Sequence, residues 1–389
     1  EQEFVARYKG KNLDNGSAIN YHVSDEEVVE SYRNSCHPTH GVMGEYLSEG
    51  RLCLIIGGAM FMHGSLPITP EALSQYENAS NERTDIDANK RFWAWFLDYA
   101  TPFARNEMPA STSEWANGLN AFAKRQDDAW KRNITFSETS TSLAERNNAK
   151  KEFWSTGGGY QKGDSESDLA VEFGSLCQYG MGWLPDRSKN PTVVYNSWMQ
   201  DGMPRYLRDE ENASYKAIID DFFEISGLDV IVTGHQPVGD VPFPIRVGNG
   251  CKDGKKKFII CADTSYSGDT KWMQSNRKNV GRGTSVSGRG DVCVSEIILE
   301  QRGTGRISSV FSHGTLSNGE RYESKNFLDD DDDVIGREVD RERFSFEGSV
   351  QDDSCDKIKW FVKSKFLDGE YLVSTGKGYE VFNSIAKQK

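Results

Sequence analysis

Positive charge falls short of negative charge in this chain. Its 389 residues hold 46 Lys and Arg against 59 Asp and Glu, a formal net charge of −13. Sequence-independent binding of DNA or RNA needs a basic surface to neutralise phosphates, so this balance argues against a nucleic-acid partner. Long apolar runs are missing too. A helix that crosses a bilayer needs about 18 or more apolar residues in a row. The most apolar stretch, 52–62, is far shorter and is broken by Gly57 and Gly58. There is no C-x-x-C pair. The seven cysteines, Cys36, Cys53, Cys177, Cys251, Cys261, Cys293 and Cys355, are scattered and odd in number. That spacing argues against a zinc site and a dense disulfide framework, and it favours a reduced, intracellular setting. No signal or transit peptide is visible, and the chain opens on Glu1-Gln2-Glu3. Either a natural start has been removed or the chain is a piece of a longer protein. N-x-S/T triplets at Asn15, Asn78, Asn133 and Asn212 are what chance gives in a chain rich in these residues, and they do not establish secretion.

What is present reads as α/β. Hydrophobic residues make up 37%, aromatics 11% and charged residues 27%, enough for one large globular domain or two ordinary ones. Ser24 with Glu27 forms a capping box that opens a helix carrying Val28, Val29 and Tyr32. Two apolar runs, 52–56 and 59–62, flank Gly57-Gly58 and predict a hairpin that ends at His63-Gly64. Thr69-Pro70-Glu71 predicts another helix start. From about 70 to 165 the text is helical and polar. Aromatic stripes recur there, Phe92, Trp95, Phe96, Tyr99 and Phe103, then Trp115, Leu119, Phe122 and Trp130. They read as the buried face of a helical insertion rather than as a stacking platform for a ligand. After Gly157-Gly158-Gly159 the α/β punctuation returns. A helix runs from about Asp168 to Gly180, and Val193-Val194-Tyr195 predicts a short strand. An amphipathic helix over 214–226 uses Tyr215, Ile218, Ile219, Phe222 and Phe223 and stops at Gly227. Strands follow at 230–233, 258–261 and 292–299. Beyond residue 300, short strands and turns such as Ser317-Asn318-Gly319 and Leu367-Asp368-Gly369 predict a β-rich C-terminal extension.

Two histidines stand at predicted strand ends beside glycine: Phe61-Met62-His63-Gly64-Ser65-Leu66-Pro67 and Val232-Thr233-Gly234-His235-Gln236-Pro237. Ligands of α/β sheets gather where strands end. Imidazole is a common metal ligand, and glycine lets the backbone approach. These stretches resemble the "HGG-L-P" and "GH-x-P" motifs of calcineurin-like metallophosphoesterases, with the closest likeness to a protist and algal group. Val194-Tyr195-Asn196-Ser197-Trp198 is similar to a substrate-side loop of that family. Phe258–Thr264 is similar to the strand and Asp-Thr turn that follow. The resemblance covers about 24–67 and 190–300.

It implies a metallophosphoesterase-type two-sheet sandwich of which this chain carries the C-terminal half. The implied parts are 1–67 and 166–300, split by the insertion at 68–165 and followed by the extension at 301–389. It also implies a phosphatase with two divalent ions (Mn, Fe or Zn), His63 and His235 as ligands of the second ion, and supporting roles for Asn196 and Asp263. The substrate class would be a phosphate ester or phosphoprotein.

The family's other motifs are missing. No histidine follows an Asp by two residues, Gly163-Asp164 and Asp168 have the wrong spacing for the bridging carboxylate, and no Asn-His motif exists. Two imidazoles cannot hold two close cations, whose charge would be uncompensated. One side of the sheet would also lack partner strands. The expectation is therefore an upstream segment or protein partner that completes the sheet. The alternative is a non-catalytic pseudophosphatase, serving as a structural or binding subunit. Lesser features read as structure. The Gly-Arg loop at 281–290 lacks the spacing of a P-loop. His37-Pro38-Thr39-His40 looks like a metal pair but reads as incidental. The five aspartates 329–333 read as a solvated loop rather than a calcium site.

Overall fold

The structure is a computed structural model. It describes residues 23–37, 39–68, 109–139, 191–200, 213–235, 237–247, 255–264, 293–303, 305–316, 319–329, 334–346, 360–377 and 380–389, with short pieces at 72–74, 179–182, 203–205 and 285–287 and the single residues 76 and 78. The first aromatic stripe, the triple glycine, the helix start at Asp168, Asp330–Asp333 and the Gly-Arg loop apart from 285–287 lie outside the described residues.

Two compact units emerge, Glu1–Gly50 and Arg51–Lys389. In the first, helix α1 (Asp25–Ser35) begins with the capping box read from the sequence. Ser24 Oγ accepts from the Glu27 amide at 3.2 Å, and the Glu27 carboxylate accepts from the Ser24 amide at 3.1 Å. None of its residues is buried, and Val28, Val29 and Tyr32 are exposed. A short helix, α2 (Val42–Ser48), follows.

The second unit is built on a five-stranded sheet. Strands β1 (Cys53–Ile56) and β2 (Ala59–Met62) form the expected hairpin, with Ile56 opposite Ala59. Gly57 takes φ +56°, as the first position of a type II′ turn requires. Helix α3 (Thr112–Thr139) packs along β1. After the short pair β3 (Met199–Gln200) and β4 (Met203–Pro204) comes helix α4 (Ala213–Ser226). Its Tyr215, Ile218, Ile219, Phe222 and Phe223 are buried as the periodicity predicts, and Gly227 at φ +65° ends it. Strands β5 (Val230–Thr233), β6 (Phe243–Val247) and β7 (Lys257–Cys261) complete the sheet, in the order β1-β2-β5-β7-β6. β2, β5 and β7 run parallel, while β1 and β6 are antiparallel edges.

The remaining strands are β8 (Ser285–Ser287), β9 (Val294–Arg302), β10 (Arg306–Thr315), β11 (Arg321–Glu323), β12 (Glu338–Val339), β13 (Phe344–Phe346), β14 (Trp360–Lys365), β15 (Tyr371–Lys377) and β16 (Glu380–Gln388). β9–β11 make one antiparallel sheet, and β12, β14, β15, β16 and β13, with β8 added to β16, make another. Fully buried strands have two apolar faces, and the five-stranded sheet uses both. One face packs Met60, Ile231 and Ile259 with Trp115, Leu119, Phe122, Phe222 and Trp198. The other packs Val230, Phe258 and Ile260 with Val310, Phe327, Trp360, Val362 and Tyr371. The result is a mixed α/β protein in which, among the described residues, strands outnumber helices. The stripe Trp115-Leu119-Phe122 is core, as read from the sequence; the side chain of Trp130 lies outside the described residues. Residues 193–195 are a bend and not the strand expected from two β-branched valines and a tyrosine. Asp229 ties the layers together. Its buried carboxylate accepts from the Ile307 amide at 2.9 Å and pairs with Arg306. No helix among the described residues is long and apolar enough to cross a membrane.

Candidate functional site

His63 follows β2 directly, and His235 follows the neighbouring parallel strand β5 by two residues. Parallel pairing brings both to the same sheet end, Met62 lying opposite Thr233. The two rings meet edge to face with centroids 5.3 Å apart. His63 Nε2 and His235 Nδ1 are separated by 3.4 Å. His63 is exposed and His235 half-buried. His235 has φ +75°, and no other non-glycine residue among those described has positive φ. That backbone costs an L-residue roughly 1–2 kcal/mol, and such strain persists only where the surroundings enforce it.

The surroundings are a set of stitched loops. The Gly234 amide donates to the His63 carbonyl at 2.9 Å, and the Ala262 amide to the Thr233 carbonyl at 2.7 Å. The segment 193–196 lies across Gly64, whose amide donates to the Val193 carbonyl at 2.7 Å. A Cβ on Gly64 would come within 2.6–3.0 Å of the carbonyl oxygens of Asn196, Val194 and Val193, so only glycine fits. Gly234 is different, since a Cβ there would meet His63 at an ordinary 3.6 Å. The Tyr195 ring also meets His235 edge to face, centroids 5.1 Å apart.

Asn196 supports this arrangement through its amide. Its Nδ2 donates to the Leu66 carbonyl at 2.8 Å, and its Oδ1 accepts from Arg205 at 3.3 Å. It therefore joins the His63 loop to the 193–198 segment. Arg205, which the sequence reading did not single out, also reaches the Ser197 carbonyl and lies over the Tyr215 ring. Asp263 follows β7 by two residues, as His235 follows β5, and its carbonyl accepts from the Val238 amide at 3.0 Å. Strand order thus sets His63, His235 and Asp263 at the ends of three successive parallel strands.

They do not close into a coordination shell. Among the described residues no group of three or more His, Cys, Asp or Glu side chains comes together as a metal site. The pair alone has the spacing of two ligands on one ion. Metal–nitrogen bonds of about 2.0–2.1 Å at a tetrahedral angle place two ligand nitrogens about 3.3 Å apart. The observed 3.4 Å matches that edge. In the N-terminal unit His37 and His40 stack with centroids 3.5 Å apart, also without a third such ligand among the described residues.

The fold and this histidine pair define a mixed α/β protein with a candidate two-nitrogen site at the end of two adjacent parallel strands. No family model, curated protein or solved structure matches the chain.

Proposed function

We propose that this chain contributes the histidine half of the metal site of a phosphoric-ester hydrolase of the calcineurin-like kind, and that its sheets form part of that family's sandwich. The carrying observation is the 3.4 Å approach of His63 Nε2 to His235 Nδ1 at the ends of adjacent parallel strands. The His-Gly and Gly-His motifs, the glycine-only position at 64 and the strained backbone of His235 support the same reading. A divalent ion held there would supply a polarised phosphoryl oxygen and a water of lowered pKa. The chain's own part is to orient two neutral imidazoles. Asn196 and Arg205 hold the neighbouring loop in place, and Tyr195 shields one side of His235. Carboxylate ligands would come from residues beyond those described or from a partner chain. The substrate would be a phosphate ester or phosphoprotein, and the second ion would depend on those added ligands.

One observation favours a second reading. The described residues offer only two ligands of the His, Cys, Asp or Glu type at this place. A pseudophosphatase that kept the sheet and its histidines as a structural or binding subunit fits that count.

The test is elemental analysis and phosphatase assay of the native material with every associated chain present, compared with His63→Ala, His235→Ala and the double variant. Bound manganese, iron or zinc and ester hydrolysis that both fall by orders of magnitude in the variants support the hydrolase. Metal-free native material, or hydrolysis indifferent to both substitutions, overturns it and leaves the subunit reading.

A further inference from the structure

The segment that leaves His235 is held by side chains of the C-terminal strands. Residues 238–241 are buried, and a buried carbonyl needs a donor. Four successive carbonyls here accept from side chains. Lys363 Nζ donates to those of Val238 and Val241, the latter at 3.2 Å. Between them the Cys293 thiol donates weakly to the Gly239 carbonyl at 3.9 Å, and Ser295 Oγ donates to the Asp240 carbonyl at 3.3 Å. Lys363 lies on β14, fully buried, in the register shift between Val362 and Ser364 where that strand carries one residue more than β15. Such a bulge re-aims a side chain. The third hydrogen of its ammonium goes to Asn383 Oδ1 on β16, at 3.1 Å. Three donors thus meet three acceptors. Asp240, 3% exposed, is the carboxyl group that acts most strongly on the Lys363 charge.

We propose that Lys363 is a positioning residue for His235, acting through the backbone of this segment. His235 stands at φ +75°, a conformation that persists only where both flanks are held. On one flank the Gly234 amide donates to the His63 carbonyl at 2.9 Å. On the other, Val238 is gripped twice. Its amide donates to the Asp263 carbonyl at 3.0 Å, and its carbonyl accepts from Lys363. Pro237 stands just before Val238, and its ring fixes φ there, so little slack separates the two. A shift at Val238 therefore reaches the imidazole.

Without the ammonium, the buried carbonyls of Val238 and Val241 lose their donor, and the segment must move to find another. His235 then relaxes out of its left-handed backbone and its ring leaves His63. Strands β14 and β16 thus act on the histidine pair through the loop. The ring displacement stands on geometry alone, whereas its effect on metal binding rests on the hydrolase reading.

Imidazole NMR of the full chain tests it, with carbon-13 at the ε1 position of its six histidines and the signals of His63 and His235 assigned from their alanine variants. Lys363→Met keeps the apolar stem and removes the charge. In it the His63 and His235 signals should shift while those of His37 and His40 stay, and added Zn2+ should bind the pair about tenfold more weakly or worse. Lys363→Arg, which keeps charge and donors, should lie closer to the wild type in both readouts. Val362→Ala, a core truncation on the same strand, should lower the melting temperature and leave both signals in place. Where Lys363→Met does not fold, Asn383→Ala, which removes one acceptor, should shift the same two signals by less. Unmoved His63 and His235 signals in the folded variant overturn the proposal, and so does an equal shift in Val362→Ala. Wild-type signals that ignore Zn2+ overturn the metal reading alone, and the ring shift in Lys363→Met still decides the positioning role.

Discussion

The side-chain amide of Asn120 pairs with the backbone of Cys53 as a neighbouring strand would. Asn120 Oδ1 accepts from the Cys53 amide at 3.2 Å and from the Leu52 amide at 3.0 Å, while its Nδ2 donates to the Cys53 carbonyl at 2.6 Å. In a hairpin closed by Ile56 and Ala59, alternate residues of β1 turn their polar groups outward, and Cys53 is one of them. Helix α3 thereby satisfies part of the sheet edge that the sequence alone leaves bare. Replacing Asn120 by Ala strands buried backbone groups, at a cost of about 1–3 kcal/mol. A lower urea midpoint with unchanged m-value is the expected outcome. An Asn120→Ala variant as stable as the wild type would show that water serves the edge equally well.

The left-handed backbone of His235 separates two substitutions that both remove its imidazole. His235→Ala keeps the strain, whereas His235→Gly releases it. The glycine variant should be the more stable of the two by about 1 kcal/mol. Thermal unfolding of the pair checks this, and equal stabilities would place His235 in an ordinary backbone conformation.

The two glycines beside the histidines should respond in opposite ways. Gly64→Ala drives a methyl into three backbone carbonyls and should cost roughly 1–3 kcal/mol or prevent folding. Gly234→Ala places its methyl at ordinary contact distance from His63 and should fold like the wild type. Expression yield and melting temperature distinguish them. A Gly64→Ala protein with wild-type stability would mean that the 193–196 segment does not lie against the His63 loop.

Burial pushes the thiols of both Cys53 and Cys261 up to about 12 from 9.0. Between those values the unfolded chain releases protons that the folded chain keeps. Stability present below pH 9 is therefore lost as pH rises through that window. Alkaline unfolding curves of Cys53→Ser and Cys261→Ser should be flatter there than that of the wild type. At neutral pH a thiol reagent should modify half-buried Cys36 in the native protein and spare Cys53 and Cys261. Peptide mapping that finds either buried thiol labelled at the rate of Cys36 contradicts the packing described.

Local chemistry made much of this protein legible from its sequence. The capping box of α1, the Gly57 turn, the buried stripe of α4 with its Gly227 stop and the turn at Gly369 each depend on neighbours a few residues apart. The same holds for the identity of His63 and His235 as strand-end residues beside glycine. What the sequence could not supply is spacing across the chain. The 3.4 Å between two imidazoles 172 positions apart follows from β2 pairing parallel with β5, a non-local choice made by burial of both sheet faces. The bend at 193–195 looks like a strand because Val and Tyr favour extended backbone, yet its position is set by Gly64 beneath it. Lys363 carries no local signal of its burial in the sequence. Only the register shift in β14, together with the carbonyls of a segment more than a hundred residues away, turns it inward and sets it against Asn383.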